Sequence, residues 1–510
     1  MRRTQLSGLI VFVLFLMAAP STAAAPSAQT RTAHHLDSIR TKPAKLHAFL
    51  KEMPKGADLH NHLSGAVPTE TLIRFAVGDH LCIDTITFAA MPTPAAPEGT
   101  CPTGQRPAAD STADRAFFAQ IVRAWSMEGF QPGVQSGHDH FFATFGKFSL
   151  ATSRKGDMLA EVAKINARQR VFYLETLVSR QSDAVGALAR TVGFDPDFSA
   201  LRDKLLSSGL PAIVTAASAD TDADLARFKH LLQCGTRRAG PACAMQVRYD
   251  YQVGRATNPE IVFTNLLLGF ELQRHDRRYV GVNLVQPEDN PVAVRDYTLQ
   301  MQMIGYLRTV YPKAHVTLHA GELASGLVPA AGLQSHIRQA VEIAGAERIG
   351  HGVDVAGEIG GGQLLTEMDR RHVLVEVPFT SNAQILGVFG AAHPFVNYRA
   401  AGVPMALATD DPGVERIDLT HEYQLATTRY RLHYRELKTL SRASLEHGFL
   451  PGASLWRSRD HYHPVRACAV DRLCERHPSP ACRARLHHST KARTEWKLER
   501  AFHAFEQHHH

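Results

Sequence analysis

A repeated rhythm constrains this chain more than any single motif. Eight short apolar runs rich in β-branched residues recur along it: GADLHNHL (56–63), VFYLETLV (171–178), MQVRYDYQV (245–253), YVGVNLV (279–285), HVTLHAGE (315–322), RIGHGVDV (348–355), HVLVEVPF (372–379) and VPMALATDD (403–411). Most are separated by segments long enough for a crossover helix. Nearly continuous apolar runs of this length suit strands buried on both faces, as in parallel sheets, and parallel neighbours require long connections. The count predicts an α/β fold, a (β/α)8 TIM-type barrel, with a doubly wound sheet as the alternative. Polar residues cluster at the C-terminal ends of runs one, five, six and eight, and in a barrel those ends converge on one mouth.

The segments outside the rhythm define the remaining organisation. Residues 1–25 carry Arg2 and Arg3, an apolar run from Leu9 to Met17 and small residues up to Ala23-Ala24-Ala25, the pattern of a secretory signal peptide. The apolar run is too short for a comfortable membrane span, and no other segment approaches the required length, so no membrane association is expected after cleavage. Residues 26–54 read as an exposed lead-in, 55–430 as the barrel, 64–170 as a long helical insertion after the first strand, and 431–510 as a basic, helical C-terminal extension. The insertion is rich in Phe and broken by Pro92, Pro94, Pro97, Pro102 and Pro107, predicting helices around an irregular loop. Its apolar character over 115–150 points to packing or a homodimer surface rather than a solvated loop.

Charge and cysteine content bear on partners and compartment. The formal net charge of +7 falls to +5 once Arg2 and Arg3 leave with the leader, which contains no acidic residue. The excess is concentrated after about Trp456, where a solvated basic tail or a helical cap with a solvated face is expected rather than a polyanion site, and the scattered charge is no sign of nucleic-acid binding. Seven cysteines in an exported chain suggest disulfides. Cys82 and Cys101 bracket one loop and Cys234 and Cys243 another, so each pair suits a local staple. Cys468, Cys474 and Cys482 leave one over, or form a zinc site with a nearby histidine. The expected location is periplasmic or secreted.

The chemistry lies at the strand ends. His60 and His62, two apart on a strand, point to one side. The spacing alone is weak in a chain with 28 histidines. His319 and Glu322 end the fifth run, His351 the sixth, and Asp410 and Asp411 the eighth. Their shared mouth makes a mononuclear metal site the expectation. Three imidazoles and one carboxylate suit zinc with a position left for water, although iron or manganese could use the same donors. Such an ion would activate water, Glu322 would supply acid/base chemistry, and His351 would take or orient the water's proton.

The motifs DLHNHLSGA, LHAGE, RIGHG, EVPFTSN and ATDDPG, in this order over roughly residues 55–430, resemble the adenosine deaminase family of metal-dependent hydrolases. The resemblance implies a (β/α)8 barrel with one Zn2+ per chain, converting adenosine and water to inosine and ammonia. It implies His60, His62, His319 and Asp410 as zinc ligands. Glu322 would protonate the purine ring, His351 would serve the attacking water, and Asp411 would position water and purine. Ser64, Gln286 and Gly321 join Asp411 on the substrate side. The leader and insertion resemble the secreted, growth-factor-like branch. The sequence departs from the family pattern at Ser64, where an aspartate is usual, at Gln286, where glycine is usual, and at Pro378-Phe379, where Cys-Pro is usual. Other aminopurines are alternative substrates, and a nucleoside-binding or signalling protein on the same barrel is the reading from another class. A generic amidohydrolase with two metals bridged by a lysine lacks a lysine at a matching strand end.

Overall fold

The computed structural model describes residues 27–93, 100–459 and 461–509; the expected leader at 1–25 lies outside them. Each of the eight runs contains a strand: Gly56–Asp58, Val171–Val178, Gln246–Gly254, Tyr279–Val285, Thr317–Ala320, Arg348–His351, Leu374–Val377 and Met405–Leu407. They are numbered one to eight below.

Strands one to four form one parallel sheet in sequence order, and strands five to eight form another. Isolated parallel bridges link the sheets at both junctions, Val282 with Val316 and Asn61 with Asp410. At the second junction the Asp410 amide donates to the His60 carbonyl (2.8 Å) and the His62 amide to the Asp410 carbonyl (3.0 Å). Thr409 reinforces it, donating its hydroxyl to Asp58 Oδ2 at 2.6 Å. The result is a parallel-stranded α/β fold of two linked four-stranded sheets with substantial helical content.

Between the strands the core is apolar, with Leu318, Ile349, Val375 and Val377 fully buried. One charge group interrupts it. Arg348, also fully buried, donates from Nε to Glu376 (2.5 Å) and from Nη2 to Glu175 (2.5 Å), with Asp250 at 3.4 Å. A buried guanidinium is tolerated only when matched this completely.

Three expectations about the flanking segments are corrected. The lead-in is exposed on one side only: helices Ala28–Ile39 and Pro43–Glu52 bury Leu36, Ile39, Leu46, Phe49 and Leu50. The C-terminal extension is the helical cap of the two expectations rather than a solvated tail. Its helices Tyr434–His447 and Thr490–His508 bury Tyr434, Leu437, Leu498, Phe502 and Phe505, and Phe49 meets Phe505 edge-on at 4.9 Å. Its basic residues are partly engaged at short range, Lys438 with Glu506 and Arg442 with Glu499, each at 2.7 Å. The insertion contains, besides helices, a small antiparallel sheet of Cys82–Asp84, Ala90–Met91 and Gln105–Pro107. Asp84 accepts the amides of Ile86 and Thr87, turning the chain back on itself. Strands of two or three residues are too short to leave an alternating pattern.

The cysteines pair as Cys82–Cys101, Cys234–Cys243 and Cys468–Cys482, leaving Cys474 free. The third disulfide replaces the alternative of a zinc site in the extension. No helix among the described residues is long and apolar enough to cross a membrane.

Candidate metal centre and its cavity

The strand ends assemble four donor atoms. His60 Nε2 lies 3.0 Å from His319 Nε2 and 3.4 Å from Asp410 Oδ1. His62 Nε2 lies 3.2 Å from each of those two atoms. Tetrahedral zinc with bonds of about 2.0–2.1 Å requires donor separations of roughly 3.3 Å, so the observed edges fit such an ion. Asp410 Oδ1 is buried without a hydrogen-bond partner, while Oδ2 accepts the Ser381 hydroxyl at 2.8 Å. The donor set thus presents one anionic oxygen and three nitrogens toward a common point, and it can hold a mononuclear metal.

The groups behind the histidines fix which nitrogen faces that point. His60 Nδ1 donates to Glu376 Oε2 (2.7 Å), His62 Nδ1 to Gln252 Oε1 (3.0 Å), and His319 Nδ1 to Asn283 Oδ1 (2.8 Å). Each oxygen consumes the ring's N–H and leaves an Nε2 lone pair for a metal. Gln252, Asn283 and Glu376 were not singled out from the sequence as supports. Asn283 and Glu376 each lie on a strand otherwise free of charged and amide side chains, a signal that could have found them; Gln252 shares its strand with Gln246, Arg248 and Asp250 and gives no such signal.

His351 completes a second grouping. Donor atoms of His60, His319, His351 and Asp410 lie within 4.8 Å of one another, as do those of His62, Asp410 and Asp411. His351 Nδ1 donates to Asn382 Oδ1 at 2.9 Å, and its buried Nε2 has no partner and stands 3.7 Å from Asp410 Oδ2. Burial pushes the His351 pKa down to about 4 against the pull of Asp410, so the ring is neutral near pH 7, with a free lone pair. This geometry suits a hydrogen-bond acceptor beside the metal better than a fifth ligand.

Glu322 lies on the opposite side of His351, its Oε1 3.8 Å from His351 Nδ1. Burial, then the negative charges of Asp410 and Glu288, raise its pKa to about 8, so it retains a proton at neutral pH. Its backbone is held by Glu288, whose carboxylate accepts the amides of Gly321 (3.1 Å) and Glu322 (2.9 Å) and the Nδ1–H of His336 (2.6 Å). Burial opposes ionisation of Glu288, but His336 and Arg255 outweigh it and keep the carboxylate charged. Glu288 is a positioning group that the sequence reading passed over, although it stands two residues after Gln286 in the same QPED stretch.

A cavity of about 450 Å3 opens onto these groups, within the ~300–1,000 Å3 usual for small-molecule sites. Its lining includes His62, His319, Glu322, Asp410, Asp411, Ser64 and Gln286. Gly321 is not among the lining residues; its amide is committed to Glu288. The Gln286 side chain is tied back, with Oε1 accepting the Ala256 amide at 2.9 Å. Phe141, Phe142 and Phe145, from the insertion helix Gly137–Phe148, supply the apolar wall. The Phe-rich part of the insertion therefore packs over the mouth. His138 anchors this helix by donating from Nε2 to Asp289 Oδ1 at 3.0 Å.

Backbone strain concentrates here. His351, Asp410 and Gln286 have φ of 67°, 60° and 80°, a region non-glycine residues rarely occupy, at about 1–3 kcal/mol each. Two glycines are required by close approach. A Cβ at Gly350 would fall 2.6 Å from His60 Cε1, and one at Gly65 would fall 1.7 Å from Asp411 Oδ1.

A parallel-stranded α/β protein with a buried His/His/His/Asp cluster at the strand C-termini belongs to the mononuclear metal hydrolase class. The adenosine deaminase family model matches residues 157–457, more than half of the chain, and the protein belongs to that family. Among curated relatives, adenosine deaminase of Escherichia coli (strain SE11) is 37% identical over 137 residues, which is 27% of this chain and 38% of that protein. Adenosine deaminase of Edwardsiella ictaluri (strain 93-146) is 38% identical over 147 residues, 29% of this chain and 41% of that protein. The chain thus spans about two fifths of the length of the curated relatives it matches. Among solved structures, the Arabidopsis N6-mAMP deaminase is 20% identical with a TM-score of 0.51, covering 79% of this chain and 96% of that one. The ADAL–IMP complex is 19% identical, with a TM-score of 0.51 and coverages of 79% and 94%. At this identity the structural likenesses establish the fold.

Proposed function

We propose that this protein is an exported, zinc-dependent aminohydrolase that converts adenosine, and deoxyadenosine, with water to inosine-type products and ammonia. The observation that carries the reading is that three of the four donors, His62, His319 and Asp410, and protonated Glu322 line one cavity of nucleoside size, with neutral His351 buried against Asp410 directly behind them. When bound, zinc supplies Lewis acidity that draws the pKa of a water toward neutrality. Glu322 donates its proton to the purine ring nitrogen beside the carbon bearing the amino group, leaving that carbon open to attack. His351 Nε2, with Nδ1–H committed to Asn382, accepts the proton of the attacking water. Asp411 and Ser64 border the cavity and orient the substrate, and Gly321 acts through the Glu288 clamp that sets Glu322.

A neutral nucleoside is favoured over a nucleotide because no Lys or Arg lines the cavity among the described residues. A phosphate would find no charged donor there, and the insertion helix offers it phenylalanine rings instead. The two linked sheets support a closed eight-stranded barrel as the scaffold, with 64–170 inserted after its first strand. The leader pattern of residues 1–25 and the three disulfides support export to an oxidising compartment, and they agree with the growth-factor-like branch that the sequence resembles. The test is ammonia release by purified protein from adenosine, deoxyadenosine, adenine and AMP. Turnover of the nucleosides well above AMP is expected. Turnover of AMP above adenosine would overturn the substrate assignment.

A further inference from the structure

A second cleft, of about 1110 Å3, lies at the end of the strands opposite the metal centre. His315, Glu347 and His372 on one wall stand just before strands five, six and seven, and Tyr279 opens strand four. Residues 446–452, with Arg459 and Lys491 of the C-terminal extension, build the facing wall. The cleft therefore exists because the extension folds beneath the strands.

Its lining carries eight Lys and Arg residues against two Glu. Both acids are already engaged. Glu347 accepts from His315 Nδ1 at 3.1 Å with Arg308 at 3.7 Å, and Glu446 accepts from Ser454 at 2.5 Å with Arg459 at 3.5 Å. Arg277 and Lys313, both exposed, form no ion pair with any described residue. His447 sits within the field of the same cations. It lines the cleft at 8% exposure, and its ring forms no hydrogen bond with any described residue. Burial, followed by the positive charges of Arg459, Lys491 and Arg348, holds its pKa well below the usual histidine value.

We propose that this cleft is a binding site for a small polyanion bearing two or more phosphate or sulfate groups. Arg202, Arg274 and Arg371 are shared with Asp203, Glu271 and Glu367 outside the cleft, and Arg459 and Lys491 with Glu446, so the unpaired Arg277 and Lys313 supply the first contacts and the shared cations the rest, more than one monoanion can contact. Guanidinium forks match phosphate and sulfate oxygens, and Lys313 adds a point charge. Concave walls of one sign also focus the field on a bound anion. Nucleic acid would require a basic stripe extended along one face rather than a cleft between two walls.

The test is calorimetric titration of the full-length mature protein with two probes, tripolyphosphate and a fully sulfated heparin disaccharide, at low and physiological salt. The parent is compared with the exposed double variant Arg277→Gln/Lys313→Gln. Binding of at least one probe is expected, weakening with salt, and weakening on the order of tenfold or more in the variant. The variant should melt at the parent's temperature without ligand, showing that the fold is intact. The probe that binds identifies the phosphate or sulfate source. If neither probe binds the parent at low salt, or if the variant binds as tightly as the parent, the proposal is overturned. A double variant that failed to melt normally would be replaced by Arg371→Gln, on the same cleft, read by the same comparison.

Discussion

Replacing Glu376 by Gln tests whether the carboxylate behind His60 sets the metal donor. Glu376 is fully buried, and its two oxygens have different tasks: Oε2 accepts from His60 Nδ1, and Oε1 accepts from Arg348 Nε and from Thr317 Oγ1 at 3.0 Å. A glutamine has one acceptor. If its carbonyl serves His60, its NH2 faces the donors of Arg348 and Thr317; if it flips, the NH2 confronts His60 Nδ1 and favours the tautomer that occupies Nε2. Losing one partner of a buried ion pair costs about 3–5 kcal/mol when the other charge is stranded. Arg348 keeps Glu175 at 2.5 Å and Asp250 at 3.4 Å, so we expect roughly 1–3 kcal/mol of destabilisation. Loss of the oriented support should weaken metal binding about 10–100-fold, equivalent to about 1.4–2.7 kcal/mol. Competition with a chromophoric chelator measures the first effect on folded protein, and thermal melting measures the second. Metal affinity within about twofold of the parent, with unchanged melting, would refute the assigned role of Glu376.

Three further outcomes follow from the same geometry. Glu322→Gln should lower kcat on adenosine by about 10²–10⁴ while metal content stays at the parental level; retained turnover would exclude Glu322 as the proton donor. Phe142→Ala, in the half-buried cavity wall, should raise KM about 5- to 10-fold from roughly 1–1.5 kcal/mol of lost apolar contact, and an unchanged KM would place the substrate away from that wall. The hydrogen bond to Asp289 raises His138 to a pKa of about 9. A raised folded-state pKa gives stability that is complete below the unfolded value near 6.5 and is lost as pH rises through about 9. Melting temperature plotted against pH should therefore fall more steeply over that window in the parent than in His138→Gln, and parallel curves would show that this ion pair does not anchor the insertion helix.

The strands were legible because buried parallel strands write themselves as apolar runs, and every run from 56–63 to 403–411 contains one. The donors were legible because imidazoles and carboxylates stand out at the ends of such runs. The spatial convergence of His60, His62, His319 and Asp410 follows from the two sheet junctions, which no local pattern encodes. Tertiary partners decided what remained hidden. The lead-in looked polar because half of each helix faces solvent, while Leu50 is buried and Phe49 packs against Phe505 of the C-terminal helix. Glu288 was inconspicuous because its task is to accept backbone amides 33 and 34 residues further along the chain, and the left-handed backbone at His351 and Asp410 leaves no residue-type signature of the kind glycine gives.

The central claim is metal-dependent deamination at the His60, His62, His319 and Asp410 cluster. The most direct measurement strips the purified protein with a chelator and follows ammonia release from adenosine as zinc is returned in known amounts. Activity should be absent at zero metal, rise linearly and level off at one zinc per chain, with Asp410→Ala giving no recovery. Full activity in metal-free protein, or recovery unaffected by Asp410→Ala, would contradict the assignment of this cluster as the reactive centre.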